Sequence, residues 1–277
     1  MGQGLVAGAA VVGLIVLLAF SRKPDAAISD VAQADLLGDG SRTPVLVELF
    51  TSEGCSSCPP ADILLSQLER SQPVSGARII ALSEHVDYWN RLGWTDPYSA
   101  PIFTQRQNEY ARALMSDDVY TPQMVVDGAA AFVGSNGAKA RAAIDEAARS
   151  PKAKVSVAQT EAPAGSSSAP FTIRVEDLPE AKSDDRVEVM LAIAQSGLRS
   201  NVARGENAGR KLAHDAVVRK LVSLGVISRK DGGIFTAQPV VKIENQWRGG
   251  SLSAVVFVQE TKSRRVIGAA AIPISGA

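Results

Sequence analysis

The sequence predicts an α/β domain followed by a mainly-β, sandwich-like domain, with an apolar leader or anchor helix in front of both. Three observations predict this class: an uncharged N-terminal run, strand and helix patterns that alternate up to Arg149, and strand patterns alone beyond Pro151. The chain of 277 residues is long enough for two modest domains. The predicted boundaries are 1–23 for the leader, 24–43 for a linker, 44–150 for the α/β domain and 151–277 for the β-rich domain.

The leader is the run from Gly4 to Phe20, which carries no charged side chain and is followed directly by Arg22 and Lys23. It is longer than an ordinary signal-peptide core and just short of a comfortable membrane span. A cleaved signal peptide and an uncleaved membrane tether are therefore both open.

Charge and cysteine content limit the possible partners and chemistry. Lys and Arg together number 29, as do Asp and Glu, so the formal net charge is zero. No basic excess attracts the phosphates of a nucleic acid, and we expect no nucleic-acid partner. The chain has two cysteines, Cys55 and Cys58, too few for a disulfide framework or a four-cysteine zinc site. We expect them to act as a pair.

The first half shows a strand, a helix and a second strand at the spacing of a βαβ unit. Val45–Phe50 is an apolar run of strand length, 61–69 places its leucines on one helical face, and Ala77–Ser83 is a second buried strand. Further along, a hairpin is predicted over Gln123–Val133 and a helix over Ala138–Arg149.

Two local signals support the hairpin and the helix. Asp127-Gly128 is a favoured turn dipeptide between the two hairpin runs. Ser135 or Asn136 can cap the helix that follows, because a short polar side chain accepts a hydrogen bond from the first helical turn.

Strand patterns fill the second half and favour a small β-sandwich. The segment Asn201–Leu224 fits either a helix or a long hairpin. The predicted strands are Lys154–Thr160, Phe171–Glu176, Arg186–Gln195, Gln238–Ile243, Leu252–Gln259 and Val266–Ile274.

The sequence Cys55-Ser56-Ser57-Cys58 precedes Pro59-Pro60 and the first predicted helix. Proline is tolerated only in the first helical turn, so the helix begins at or just before the cysteines. Unpaired N–H groups and the positive dipole end stabilise a thiolate there, which predicts a lowered pKa for Cys55. Cys55 is then the nucleophile and Cys58 the resolving thiol. The motif alone also fits a structural disulfide, an inert pair of cysteines, or two of the ligands of a zinc site.

Thr121-Pro122 stands directly before the hairpin, where proteins of the thioredoxin fold carry a cis-proline beside their active cysteines. The order strand, CxxC, helix, strand, Thr-Pro, hairpin and helix resembles the thioredoxin fold over 44–150. The stretches Val47–Asp62 and Arg204–Arg219 are similar to a family of secreted bacterial thioredoxin-like proteins of unknown function.

The resemblance implies a thioredoxin-like domain, a redox-active Cys55–Cys58 disulfide without another cofactor, and export. The expected location is the periplasm or cell envelope, either secreted or anchored to the inner membrane. The Ser-Ser dipeptide and the added β-rich domain depart from ordinary thioredoxin and suggest a dedicated substrate.

Further site candidates surround the motif. Glu48, on an apolar strand near the position of the buried acid of thioredoxins, is a candidate proton acceptor for Cys58. Thr121, Pro122 and Trp89 are expected to line a substrate groove, and His85 to transfer protons, bind metal or only make a structural hydrogen bond. For His214 we expect a surface or interdomain contact.

These observations predict a thiol–disulfide oxidoreductase that acts on a protein or small-molecule thiol or disulfide. A soft-metal protein that uses Cys55, Cys58 and His85 for an ion such as Cu(I) is a second hypothesis. A non-catalytic binding module with a structural disulfide is a third.

Overall fold

The computed structural model describes residue 1 and residues 42–116, 118–163, 166–180, 186–227, 233–247 and 249–275. The described part is mostly β, with fourteen strands and three α-helices. The predicted leader and nearly all of the predicted linker lie outside the described residues. Within the described residues, no helix is long and apolar enough to cross a membrane.

Among the described residues, strands alternate with α-helices only in the first half of the chain. The helices are α1 (Pro59–Ser71), α2 (Pro101–Ala113) and α3 (Gly137–Ala148). The strands are β1 (Thr43–Thr51), β2 (Ala77–His85), β3 (Gln123–Val126), β4 (Ala130–Val133), β5 (Lys154–Gln159), β6 (Ser168–Glu176), β7 (Val187–Ser196), β8 (Leu198–Asn201), β9 (Lys211–His214), β10 (Val217–Ile227), β11 (Phe235–Ala237), β12 (Val240–Lys242), β13 (Ser251–Glu260) and β14 (Val266–Pro273).

Eight strands form one mixed sheet in the order β14-β13-β7-β10-β2-β1-β3-β4. Strand β1 pairs in parallel with β2 and antiparallel with β3. The first and second halves of the chain meet where Val217 of β10 pairs in parallel with Ser83 of β2. The Ser83 N–H also donates to the carbonyl oxygen of Ala216 at 2.7 Å. The sheet is therefore continuous from one half of the chain to the other.

A smaller sheet packs against the C-terminal part of the large one. It contains β5, β6, β11 and β12, with β6 at its centre. Alternate residues of β6 point inward, among them Phe171 and Ile173, and share an apolar core with Val189 of β7 and Val256 of β13. This alternation of buried and more exposed residues is the pattern that predicts the strand from the sequence.

The helices cover both faces of the large sheet. On one face, Leu65 of α1 and Ile144 of α3 share a core with Val47 of β1. On the other face, Phe103 of α2 packs in a cluster that includes Phe257 of β13. Helix α2 thus contacts a core built from both halves of the chain.

The predicted fold class, an α/β thioredoxin-like domain followed by a mainly-β sandwich-like domain, is wrong. The described chain is mostly β, and strands of both halves belong to one large mixed sheet. The prediction failed because local periodicity identifies strands but not their partners across the chain. The domain division at residue 150 is a separate prediction and stays one.

Several local predictions are confirmed. The Asp127-Gly128 turn joins β3 and β4. The first helix starts later than predicted, because α1 begins at Pro59, just after the cysteines rather than at or before them. The side chain of Asn136 accepts a hydrogen bond from the Lys139 N–H and caps α3. The ambiguous segment Asn201–Leu224 contains strands β9 and β10 and no helix.

Candidate functional site

The two cysteines form a disulfide at the start of α1, with their Cα atoms 5.4 Å apart. Cys58 is the N-cap residue of the helix, and the carbonyl oxygen of Cys58 accepts hydrogen bonds from the first helical turn, including one from the Asp62 N–H at 3.1 Å. Cys55 and Cys58 are both 0% exposed, whereas Ser56 and Ser57 between them are exposed. The disulfide therefore lies just below the surface.

The loop between β8 and β9, residues 202–210, lies against the cysteine loop, and we call it the hairpin tip. The side-chain amide of Asn207 donates to the carbonyl oxygens of Glu53 and Cys55, at 2.8 and 2.9 Å. The carboxylate of Glu206 accepts a hydrogen bond from the Ser56 N–H at 3.0 Å. Asn207 is fully buried by these contacts. The second half of the chain thus completes the surroundings of the disulfide.

Glu53, two residues before Cys55, is a fully buried carboxylate with several partners. Its Oε2 accepts a hydrogen bond from the indole N–H of Trp94 at 2.8 Å, and its Oε1 lies 3.1 Å from Nε2 of His214. Its N–H donates to Asp96 Oδ2 at 2.8 Å. Buried carboxylates are rare without partners of this kind.

His85, at the end of β2, forms a buried pair with Asp96, with Nδ1 and Oδ2 2.7 Å apart. Burial alone would lower the pKa of His85, but the charge and hydrogen bond of Asp96 raise it above its ordinary value. Burial likewise opposes ionisation of Asp96, yet His85 and two backbone N–H groups hold the pKa of that carboxyl below its usual range. The rings of His85 and His214 lie edge to face, with centroids 5.0 Å apart.

The three predicted groove residues come together beside the cysteine loop. The indole N–H of Trp89 donates to Thr121 Oγ1 at 2.7 Å. A Cβ atom added at Gly54 would lie 3.2 Å from Cβ of Trp89, so the Trp89 residue lies directly against the cysteine loop. The Thr121–Pro122 peptide bond is cis, and an added Cβ at Gly134 would lie close to Pro122 and to Ala61 of α1.

Glu48 is not brought together with the cysteines. It is fully buried on the face of β1 that α2 covers, opposite the face that packs against α1. Its Oε1 accepts a hydrogen bond from Nε of Arg106 at 2.6 Å, and its Oε2 accepts one from the Tyr110 hydroxyl. Glu84 is nearby, and burial, reinforced by the charge of Glu48, raises its pKa well above the usual range. Glu48 therefore belongs to a buried ionic cluster under α2.

Sequence reasoning missed most of the polar residues that surround the disulfide. Asn207 is not among the predicted site residues, and His214 is predicted to make only a surface or interdomain contact. His214 is buried, so the surface alternative is wrong, and its contact with Glu53 joins the two halves of the chain. The segment Arg204–Arg219 was the available signal, because its resemblance to the family covers Asn207 and His214.

Metal binding has little geometric support. Among the residues that the structure describes, no three His, Cys, Asp or Glu side chains form a group that could hold a metal ion. His85 is already paired with Asp96.

Fold and site together define a mixed-sheet protein with a buried CxxC disulfide at a helix start, completed by a hairpin from its C-terminal half. The chain belongs to the family described as "Protein of unknown function (DUF1223)", which matches residues 46–259. This confirms the predicted membership of a family of unknown function. No curated protein matches the chain.

Two solved structures are similar over most of the chain. A protein from Agrobacterium tumefaciens, determined by a structural genomics consortium, is 25% identical, with a TM-score of 0.62, over 83% of this chain and 94% of its own. HBP35 of Porphyromonas gingivalis is 14% identical, with a TM-score of 0.63, over 85% of this chain and 76% of its own. The second likeness concerns the fold alone.

Proposed function

We propose that the protein is a thiol–disulfide oxidoreductase in which Cys55 and Cys58 exchange electrons with the thiols or disulfide of a partner. The observation that carries this proposal is the position of the disulfide directly before the first turn of α1, with Cys58 as the N-cap residue. The positive end of a helix favours a thiolate, which is the species that attacks disulfides. A disulfide with only a structural role has no use for a stabilised thiolate at that position.

The reaction begins with the reduced pair. The Cys55 thiolate attacks a substrate disulfide, forms a mixed disulfide and releases one substrate thiolate. The Cys58 thiol then loses its proton, and its thiolate attacks Sγ of Cys55 and releases the second substrate thiolate. The two released thiolates take up protons, and two electrons have passed from the cysteine pair to the substrate.

The partner is a protein or small-molecule thiol or disulfide, and the pair itself replaces any further cofactor. Ser56 and Ser57, the exposed residues of the motif, mark the side from which a partner approaches. Export to the cell envelope, with or without a membrane tether, belongs to the same proposal and is supported by the family resemblance and by the apolar run Gly4–Phe20.

The test combines kinetics with trapping. Wild type should catalyse insulin reduction by dithiothreitol, and Cys55→Ser should reduce the rate to the uncatalysed background. Cys58→Ser should retain a partner as a mixed disulfide on Cys55, identified by mass. Ser71→Ala, at the far end of the same helix, is the control and should behave as wild type. A Cys55→Ser rate equal to wild type would overturn the proposal.

One observation favours a second candidate, a binding module with a structural disulfide. Both cysteines are 0% exposed, and Asn207 holds the backbone around them. The reduction potential separates the two functions, since structural disulfides lie below about −300 mV and exchange-active ones above it. Equilibration with glutathione buffers measures it directly.

A further inference from the structure

A cluster of titratable side chains lies beside the first turns of α1, separate from the ionic cluster around Glu48. His214 pairs with Glu53, and His85 pairs with Asp96. The fifth member is Asp62, four residues after Cys58 on α1. These side chains come from a helix, a strand end, two loops and the β8–β9 hairpin, so the tertiary fold assembles the cluster.

Each histidine of this cluster keeps one ring nitrogen without a hydrogen-bond partner among the described residues. These are Nε2 of His85 and Nδ1 of His214, in side chains that are 0% and 1% exposed. Oδ1 of Asp62 is likewise buried and unpartnered there. Buried polar atoms are normally paired, and unpaired ones concentrate where a site serves chemistry. The cluster therefore has capacity to accept and donate protons.

Asp62 is the member nearest to Cys58 along the helix. Side chains four residues apart on a helix lie on one face, with Cβ atoms about 5–6 Å apart. That face of α1 packs toward the end of the β8–β9 hairpin, since Ser66, the next residue along it, donates to Asp215 at 2.5 Å. Asp62 therefore shares a face of α1 with Cys58, and the charge of His214 acts on its carboxyl. Glu48, the acid predicted for this task, is held by Arg106 on the other face of the sheet.

We propose that Asp62 accepts the proton of the Cys58 thiol during resolution of the mixed disulfide. This inference rests on the proposed oxidoreductase function and names a residue for its second step. The proton moves from Sγ of Cys58 to the Asp62 carboxylate, directly or through one water. The Cys58 thiolate bonds to Sγ of Cys55, the substrate sulfur leaves as a thiolate, and Asp62 returns the proton to it.

The surroundings of Asp62 suit this task. Burial raises the pKa of the Asp62 carboxyl, while the charges of His214 and His85 offset only part of the increase. The charge of Asp96 adds a smaller increase to the pKa of Asp62. The other nearby carboxylate, Glu53, is already paired with His214 and Trp94. A carboxylate with a raised pKa is a better acceptor for a thiol proton, because the two proton affinities are closer.

The test measures attack and resolution separately in the full chain. In a Cys58→Ser background, the rate at which Cys55 reacts with the aromatic disulfide DTNB should be the same with Asp62 or Asn at position 62. With Cys58 present, release of the second thionitrobenzoate should be at least about 10-fold slower in Asp62→Asn near neutral pH. The difference should shrink above about pH 8.5, where a thiol ionises without a base.

A control variant and an alternative substitution at position 62 distinguish the possible outcomes. Asp145→Asn, an exposed aspartate on α3, should match wild type in both steps. Equal slowing of both steps at every pH, or no slowing of resolution, overturns the role of Asp62. If Asp62→Asn does not fold, Asp62→Glu keeps a displaced carboxylate and should alter only resolution and its pH profile. Absence of any Cys55 adduct in Cys58→Ser is a different result, since it contradicts the oxidoreductase function itself.

Discussion

The side-chain amide of Asn207 donates a hydrogen bond to the carbonyl oxygen of Cys55 at 2.9 Å, although 152 residues separate them in the chain. The same amide nitrogen also donates to the carbonyl of Glu53. Asn207 therefore joins the hairpin tip to the cysteine loop.

Asn207→Ala should destabilise the protein and expose the disulfide. Loss of two hydrogen bonds to buried carbonyls costs about 1–3 kcal/mol for each unsatisfied group. Opening of the hairpin tip becomes correspondingly easier, so reduction of the disulfide by dithiothreitol should be faster by roughly 5-fold or more. Urea unfolding and the rate of thiol appearance measure the two effects.

Asn201→Ala is the matched control, because Asn201 is an exposed asparagine on the same hairpin. The free energy of unfolding of Asn201→Ala should remain within about 0.5 kcal/mol of that of wild type. Equal reduction rates in Asn207→Ala and wild type would show that the hairpin tip does not limit access to the disulfide.

Arg106→Met should be strongly destabilising. Arg106 is buried against Glu48, and its NH1 and NH2 groups also donate to Gln259 and Tyr110. Removing one partner of a buried ion pair leaves an uncompensated charge and costs about 3–5 kcal/mol. The double variant Arg106→Met/Glu48→Gln should recover part of this loss, as measured by urea unfolding.

The comparison is Arg149→Ala, which removes an exposed arginine that pairs with Asp145 and Glu146 on α3. Surface pairs contribute only about 0–1 kcal/mol. If Arg106→Met lost as little unfolding free energy as Arg149→Ala, the buried ionic cluster would not be essential for stability.

Stability should depend on pH through His85. Its pKa is raised above the ordinary 6.5, so the pair with Asp96 contributes stability that is fully present below pH 6.5 and is lost as pH rises through the folded-state pKa. In Asp96→Asn, burial acts without the opposing charge and should lower the pKa of His85. The contribution of His85 should then change sign and destabilise the variant as pH falls below 6.5.

NMR titration of the imidazole signals tests this directly, since the chain has two histidines. Unfolding at about pH 5.5 and about pH 7.5 tests the linked stability change. An unchanged His85 pKa in Asp96→Asn would contradict the assignment, and Asp145→Asn is the control.

Gly128→Ala should be far more damaging than Gly76→Ala, although both glycines have positive φ. A Cβ at Gly128 would lie 1.9 Å from the carbonyl oxygen of Arg264, whereas a Cβ at Gly76 meets nothing within 4 Å. Gly76→Ala should cost about 1–2 kcal/mol for the left-handed backbone alone. The loss of unfolding free energy in Gly128→Ala should exceed about 4 kcal/mol, because the backbone must move to make room for the Cβ atom. Thermal unfolding of the two variants makes the comparison, and equal losses would argue against the close approach.

Local elements could be predicted because their signals are local. Pro59-Pro60 marks the start of α1, Asp127-Gly128 marks a turn, and Asn136 carries a cap. The alternation of β6 marked a strand with one buried face.

The long-range arrangement could not be predicted in the same way. The valines of β10 indicate a buried strand, but nothing in them selects β2 as its neighbour. Glu48 lies on an apolar strand whichever face it occupies, and only the contact with Arg106 shows which face that is. The Glu53–His214 pair spans 161 residues and has no sequence signal of its own.

The pairing of β10 with β2 also determines what a shortened chain would lose. A fragment that ended at residue 150 would leave β2 without its outer neighbour and remove the C-terminal part of the core under α2. An open, apolar strand edge is a template for aggregation. The same cut would remove Asn207 and His214, so the first half of the chain carries the cysteines but only part of the chemical environment around them.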